Sequence, residues 1–311
     1  MKKAWQEALL NLPKEVVKNC ILCNVASSCE NKRFSDFLAL PSPYQIVSCS
    51  NCDLSWLSPR PTTEGYAEVY NDEHYFGSDE ASPENYQELV SQRLFYYRRR
   101  VQGLKGLIKK NEPLSILDYG AATGNFVAVA RKEGHLCEGI EFSEDARLTA
   151  MNSLGIKLLS ADESQTLNHE QFDVVHMNHV LEHMPNPLEH LKWCRDILNE
   201  DGLLSIEVPN QFDNDLDRVR RFLKVGGRQK NFNSYSLHHT YFFTSTSMKR
   251  LMQESGFEII QIRTFNPDQA PLWPIKLRNL VLRPWLSFSD WVHSGGNVIE
   301  VIAKKTNVYA N

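Results

Sequence analysis

From residue 113 onward the chain alternates short apolar runs with stretches whose apolar positions recur every three to four residues. Runs of the first kind suit strands buried on both faces of a parallel sheet, and the second kind suit amphipathic helices. The pattern predicts strands over 114–117, 136–140, 157–159, 172–177, 203–208, 257–264 and 297–304. It predicts helices over 125–133, 143–154, 187–198 and 245–255. This succession is the mark of an α/β protein with a doubly wound sheet, here of seven strands. Two stretches break the rhythm, a polar, partly basic one at 211–242 and an aromatic, proline-rich one at 266–294.

Ahead of the sheet, Leu94, Tyr97, Val101, Leu104 and Ile108 share one broad face of a helix predicted over 83–110. The adjacent Arg98, Arg99 and Arg100 point in different directions on that helix and read as a solvated face rather than a phosphate clamp. Thr62 or Thr63 caps a shorter helix that runs to Tyr70, and a helical stripe from Ala4 to Leu12 stops at Pro13.

Composition narrows the class. The 311 residues carry 34 basic and 38 acidic side chains, a net charge of −4, so no global field draws the protein to nucleic acid or to an anionic membrane. No apolar run approaches the roughly 20 residues of a membrane span, and the amino terminus turns polar at once. A cytoplasmic protein is expected. Seven cysteines include two tight pairs, Cys20 with Cys23 and Cys49 with Cys52. In an intracellular chain such pairs favour a metal over disulfides. Four thiolates on two knuckles leave no open coordination position, so the expected zinc is structural, in a small amino-terminal ribbon. Cys29 lies outside the pattern.

The candidate chemistry starts where the strand at 114–117 runs into Asp118 and then Gly120, Ala121, Ala122 and Gly124. Small residues in such a turn let a nucleotide-like ligand approach the backbone. The spacing does not match the Gly-x-Gly-x-x-Gly of a dinucleotide site. An acid at the strand end suits a cationic ligand, and Glu141, at the end of the next strand, is placed to accept hydrogen bonds from a ribose diol. Together they fit a nucleoside with a positively charged amino-acid tail.

At this point the chain resembles the class I S-adenosylmethionine-dependent methyltransferases. Asp118-Tyr119-Gly120-Ala121-Ala122-Thr123-Gly124 is similar to that family's first motif, with Ala122 where glycine is common. The resemblance implies a Rossmann-like sheet whose last strand is antiparallel. It implies a cofactor site of Asp118, Gly120, Ala121, Ala122, Gly124, Asn125, Phe126, Glu141, Phe142, Asp162 and Asn178, with Tyr75 reaching in from the aromatic stretch before the long helix. Cys49-Ser50-Asn51-Cys52-Asp53-Leu54, Leu57-Ser58-Pro59-Arg60-Pro61 and His179-Val180-Leu181-Glu182-His183-Met184-Pro185 look like a subgroup with an amino-terminal zinc ribbon, often associated with saccharide and secondary-metabolite pathways. The implied division is a ribbon over 1–60, a helical linker or lid over 61–112 and a methyltransferase domain over 113–311.

A sulfonium is already an activated methyl donor, so the protein must hold an acceptor in line and exclude water. A hydroxyl acceptor also needs a base. His183 leads the candidates, followed by His239 and His179, against the alternative that each only anchors its loop. Arg218, Arg220, Arg221, Lys224, Arg228 and Lys230 make the 211–242 stretch locally basic, which would attract an anionic acceptor such as a nucleotide-linked sugar. The expected partner is therefore a small-molecule or saccharide acceptor. Two other readings compete: an RNA methyltransferase gripping its substrate with the ribbon, whose basic footprint is faint, and a non-catalytic interaction module.

Overall fold

The structure, a computed structural model, describes residues 10–25, 28–70, 83–169, 171–215, 218, 237, 239–266 and 295–306. The amino-terminal part contains strands β1 (Lys14–Glu15), β2 (Ser28–Glu30), β3 (Gln45–Cys49), β4 (Ser55–Ser58) and β5 (Arg60–Pro61), with helix α1 (Lys32–Phe37) between β2 and β3. Helices α2 (Thr63–Tyr70) and α3 (Pro83–Leu107) follow. The larger sheet is built from β6 (Ser115–Tyr119), β7 (Leu136–Ile140), β8 (Phe172–Asn178) and β9 (Leu198–Pro209), alternating with α4 (Asn125–Lys132), α5 (Glu144–Leu154) and α6 (Pro187–Ile197). After β10 (Tyr241–Phe242) and α7 (Ser245–Glu254), the chain ends in β11 (Phe257–Phe265) and β12 (Val298–Lys305).

Six strands lie in the order β11-β12-β9-β8-β6-β7. β6 through β9 are parallel, and the final strand β12 runs antiparallel to both of its neighbours. The expected third strand is reduced to one parallel bridge, Leu159 to Ile140. The reason is local. Ser160 and Glu163 cap each other, the Glu163 carboxylate accepting from Ser160 N at 2.8 Å and Ser160 Oγ from Glu163 N at 3.2 Å, which turns the chain into a 3-10 helix before a ladder can extend.

Val101, Leu104, Ile116, Phe126, Val127 and Val174 form the core on one face of the sheet. On the other, Leu117, Val175, Met177, Leu191 and Met248 pack in a core that continues without a break into Cys20, Leu22, Cys49, Cys52 and Trp56. The four-cysteine part, the ribbon expected from the sequence, is thus fused to the larger sheet by its apolar interior. β10 completes the fusion by pairing Tyr241 with Trp56 and Phe242 with Ser55, so the smaller sheet runs β10-β4-β3-β2. Residues at the end of the 211–242 stretch therefore belong to the ribbon's sheet.

One expectation about α3 is overturned. Arg98 is exposed beside Glu133, but Arg100 is buried and bonded to Glu207 and Glu300 on β9 and β12, with Ser205 Oγ accepting at 2.8 Å. Three residues from Tyr97 and four from Leu104, Arg100 sits on the edge of the helix's apolar face, which turns it toward those carboxylates.

Candidate functional site

The turn after β6 has an unusual backbone. Gly120, Ala122 and Gly124 have φ of +80°, +47° and +77°. Gly120 N and Ala121 N donate to Ile140 O at 2.8 and 2.9 Å, which ties the turn to β7. A Cβ at Gly120 would lie 2.3 Å from Val180 Cγ2, so glycine there is required both by conformation and by contact with the loop after β8. Gly124, left-handed as well, caps α4 without a side chain. The departure at Ala122 is not neutral: a left-handed alanine is strained by roughly 1 kcal/mol.

Glu141 is buried, and its two oxygens accept Ala122 N at 2.7 Å and Ser143 N at 2.8 Å. Burial raises its pKa against the pull of those amides. Each oxygen retains a second lone pair, so a diol can still be accepted. Phe142 beside it is exposed, a flat apolar surface at the sheet's carboxyl edge. Asp162 is exposed in the turn that follows Leu159, and Asn125 Nδ2 donates to Thr123 Oγ1 at 2.9 Å. Asn178 Oδ1 is buried with no hydrogen-bond partner among the described residues. Tyr75 lies outside the described residues.

Two side chains expected at the cofactor turn inward instead. Asp118 is buried and accepts from His176 Nδ1 at 2.7 Å, its neighbour in the β6–β8 register. Phe126 stacks on the same imidazole, with ring centroids 3.9 Å apart and planes 6° from parallel. The pair braces the strand end from below, leaving the backbone of 120–124 as the surface a cofactor can meet.

The three histidines converge. β8 ends at Asn178, the next residue, His179, is left-handed with φ +56°, and a short 3-10 helix, Leu181–His183, follows. His179 Nδ1 lies 3.4 Å and His183 Nε2 3.7 Å from Glu182 Oε1. The rings of His183 and His239 are 4.9 Å apart, edge to face. His239 Nδ1 donates to Gln211 Oε1 at 2.9 Å. Glu182 is 1% exposed, and neither carboxylate oxygen has a hydrogen-bond partner among the described residues. Burial would raise its pKa, but His179, with the positive fields of His183 and His239, holds it down to about 2. At 3.4 Å the His179 contact is one of charge rather than a well-formed hydrogen bond. Burial acts to lower the pKa of His179, while Glu182 raises it more. Its ring is 44% exposed, so the direction follows from Glu182.

The four cysteines also converge, all four sulfurs lying within 4.8 Å of one another. Cys20 Sγ and Cys52 Sγ are 3.6 Å apart, too far for a disulfide and close to the ~3.8 Å edge of a tetrahedron with ~2.3 Å metal–sulfur bonds. The two pairs fold alike. Asn24 (φ +50°) and Asp53 (φ +60°), each following the second cysteine of its pair, are left-handed, and both residue types tolerate that conformation. The amides of Leu22 and Cys23 point at the sulfur of Cys20, and those of Asn51 and Cys52 at that of Cys49. These are preformed knuckles, and their donor set fits zinc. Cys29 is exposed on β2, opposite Ser48 and outside the four-sulfur group.

Sequence reasoning missed the residues that hold the histidine loop in place. Arg60 donates to Glu15 Oε1 at 2.7 Å, and to Pro185 O and Tyr241 Oη at 2.9 Å each. Thr240 donates its N–H to Glu182 O at 2.8 Å and its hydroxyl to Tyr66 Oη at 2.7 Å. The ribbon and the 239–242 stretch therefore position Glu182 and His183. The only sequence signal was an arginine between two prolines, which by composition reads as a faint basic footprint. Arg220, Arg221, Lys224, Arg228 and Lys230 lie outside the described residues. Arg218 is paired with Asp213 at 2.8 Å and Asp215 at 3.4 Å.

The chain is similar to known methyltransferases. A family described as a methyltransferase domain matches residues 86–262, more than half of the chain. A ubiquinone biosynthesis O-methyltransferase from Glaesserella parasuis is 32% identical over 130 residues, 38% of this chain and 52% of that protein. The chain thus spans about half the length of the curated relatives it matches. Among solved structures, a Burkholderia thailandensis 1,6-didemethyltoxoflavin-N1-methyltransferase aligns with a TM-score of 0.48 at 16% identity, over 86% of this chain and 98% of its own. An S-adenosylmethionine-dependent methyltransferase from Archaeoglobus fulgidus aligns with a TM-score of 0.44 at 18% identity, over 68% and 94%. The chain belongs to the methyltransferase-domain family.

Proposed function

We propose that the protein moves the methyl group of S-adenosylmethionine to a hydroxyl of a small-molecule acceptor, a saccharide being the first candidate. The observation that carries this reading is the cluster of His179, Glu182, His183 and His239 at the carboxyl edge of β8, held against the cofactor turn through Val180 on Gly120. Open α/β sheets bind ligands at that edge. The backbone of 120–124, the Glu141 carboxylate and the buried Asn178 Oδ1 would hold the cofactor, with Phe142 and Asp162 near its base and the sulfonium supplying the activated methyl. Histidines flanked by a buried carboxylate are equipped to take the hydroxyl proton as the new bond forms. The relatives named for ubiquinone biosynthesis are O-methyltransferases, which supports oxygen as the methylated atom. Zinc on Cys20, Cys23, Cys49 and Cys52 would lock the ribbon whose sheet carries β10 and so position His239.

An RNA acceptor is disfavoured because Arg60, the basic residue of the ribbon motif, is spent on internal partners. Labelled methyl transfer is tested over panels of nucleotide sugars, free saccharides, phenolic compounds and RNA. Label on an oxygen of a small molecule is expected. Transfer only to RNA, or to nitrogen or carbon, overturns this reading, and absence of calorimetric binding of S-adenosylmethionine overturns methyl transfer itself.

A further inference from the structure

We propose that Gln211 is a positioning residue: by accepting the Nδ1 proton of His239 it fixes that ring as the tautomer whose lone pair is on Nε2, which makes His239, among the three histidines around Glu182, the one ready to take the acceptor's proton. The destination of that proton rests on the hydroxyl-methylation reading above; the tautomer does not.

Gln211 is a fixed post. It follows β9, and both of its chain neighbours are anchored. Asn210 donates its N–H to Asn297 O and its Nδ2 to Gly296 O, both at 2.8 Å, which ties it to the residues that lead into β12. Phe212 is buried and stacked on Phe34 of α1, with ring centroids 3.7 Å apart. Asn214 Nδ2 closes the turn by donating to Asn210 O at 2.7 Å. His239 is held as firmly from its own side, since the next residue, Thr240, donates its N–H to Glu182 O at 2.8 Å and Tyr241 pairs with Trp56 in β10. The 2.9 Å bond from His239 Nδ1 to Gln211 Oε1 therefore joins two anchored segments.

A glutamine oxygen can only accept, so the proton in that bond belongs to Nδ1, and the neutral ring has its lone pair on Nε2. The kind of acceptor matters as well. An amide orients the ring without placing an anion against Nδ1, whereas Nδ1 of His179 lies 3.4 Å from the Glu182 carboxylate, which favours the imidazolium there. A base must be unprotonated before it acts. His179 thus serves Glu182 as counter-charge, and His239 is kept for the proton. Among the described residues, the titratable groups that face His239 are Glu182 and His183, its ring 4.9 Å from that of His183 and one of its nitrogens within 4.8 Å of the carboxylate. An imidazolium formed at His239 accordingly meets a buried anion.

In the step this implies, an electron pair of the acceptor oxygen forms the new C–O bond as the C–S bond breaks, and sulfur keeps the pair of the broken bond as a neutral thioether. The hydroxyl proton passes to His239 Nε2, while the Nδ1 proton stays on its bond to Gln211 Oε1. One positive charge leaves sulfur and one appears on the imidazole, so the total charge of the site is unchanged.

The test follows the 15N-labelled histidine side chains of the full chain by two-bond 15N–1H NMR at about pH 8, above the ordinary histidine range, with His239 assigned by the loss of its signals in His239→Phe. The protein should show His239 as a neutral ring with its proton on Nδ1. In Gln211→Met, which removes the acceptor at similar volume, the share of that tautomer should fall at least ~2-fold. Methyl transfer by that variant, to whichever compound of the acceptor panel takes label, should lose at least ~10-fold in kcat with S-adenosylmethionine affinity unchanged in calorimetry. Gln211→Glu keeps the acceptor and adds a charge, so the tautomer should persist while the acid limb of the kcat–pH profile moves upward, because a base beside an anion holds its proton to higher pH. A proton on Nε2 in the unmodified protein, a tautomer unchanged in Gln211→Met, or a kcat within ~2-fold of the unmodified value in that variant overturns the proposal. If no compound of the panel is methylated on oxygen, the hydroxyl reading has failed, and the NMR result alone decides the role of Gln211.

Discussion

Two buried carboxylate clusters flank the carboxyl end of β9 and differ in how they are satisfied. Glu207 directs its backbone carbonyl to His179 N at 2.9 Å and its side chain to Arg100 and Tyr96 on the far side. Glu300, next to it on β12, is met by Arg100, Arg263 and Gln261 Nε2, the last at 2.9 Å. These acids are neutralised by fixed guanidinium groups. Glu182, equally buried, faces only histidines and accepts no hydrogen bond among the described residues. The first arrangement is rigid and closed and anchors α3 to the sheet. The second is closed on the protein side but built from groups that exchange protons near neutral pH. Burial of charge alone does not mark the functional site; burial without a permanent partner does.

The largest effect expected from breaking this contrast is on stability. Arg100→Met removes the charge and leaves Glu207 and Glu300 without their shared guanidinium, which should lower unfolding free energy in urea by about 3–5 kcal/mol. Glu182→Gln, in the other cluster, should lower it by less, because a neutral amide forfeits the attraction of the histidines but no longer demands a counter-charge. Equal losses in the two variants would show that the clusters are the same kind of object.

The cofactor turn, both cysteine pairs and most of the sheet were legible because each is written in contiguous residues: Asp118 to Gly124, Cys-x2-Cys, apolar runs of strand length. The networks were not. Arg100 lies 107 residues from Glu207 and 200 from Glu300, and its spacing from apolar neighbours is matched by that of Arg98 from Leu94 and Val101, yet Arg98 is exposed. β10 is two residues long, too short for any periodicity, yet it joins the ribbon to the histidine loop. The inward turn of Asp118 was hidden for a related reason: its partner His176 is on a neighbouring strand and reads in sequence as one polar residue in an apolar run. Of the candidate site, the three histidines could be named from sequence, while the position of the carboxylate that gathers them could only be read in three dimensions.

A third buried titratable group separates burial from pairing. His190 packs on Tyr119 with ring centroids 4.2 Å apart, and its Nε2 has no hydrogen-bond partner among the described residues. Burial alone pushes its pKa down to about 4, the reverse of the direction at His179. The folded-state value lies below the ordinary ~6.5, so His190 contributes stability that is fully present above pH ~6.5 and is lost as the pH falls toward 4. The loss from this residue reaches about 3 kcal/mol by pH 4. In His190→Phe, the slope of unfolding free energy between pH 6.5 and 4 should flatten by that amount. An unchanged slope would mean that His190 finds a counter-charge as His179 does.

The smallest expected effect concerns strain, which also distinguishes the two regions. Ala122 and His179, both non-glycine residues with positive φ, bracket the cofactor side of the site, whereas no residue of the Arg100 network has such a backbone. Ala122 N donates to Glu141 Oε2 at 2.7 Å, and that bond helps hold the alanine left-handed. Ala122→Gly removes the steric penalty while keeping the N–H, and the glycine's larger unfolded-state entropy offsets part of the gain. A net rise in unfolding free energy of up to about 1 kcal/mol is expected, read from the urea midpoint. Calorimetry of S-adenosylmethionine binding to Ala122→Gly decides what the strain is for. If the left-handed alanine holds the turn open for the cofactor, the variant loses affinity while gaining stability. If affinity is retained, the left-handed alanine is only a local fault in the turn and belongs to neither cluster's design.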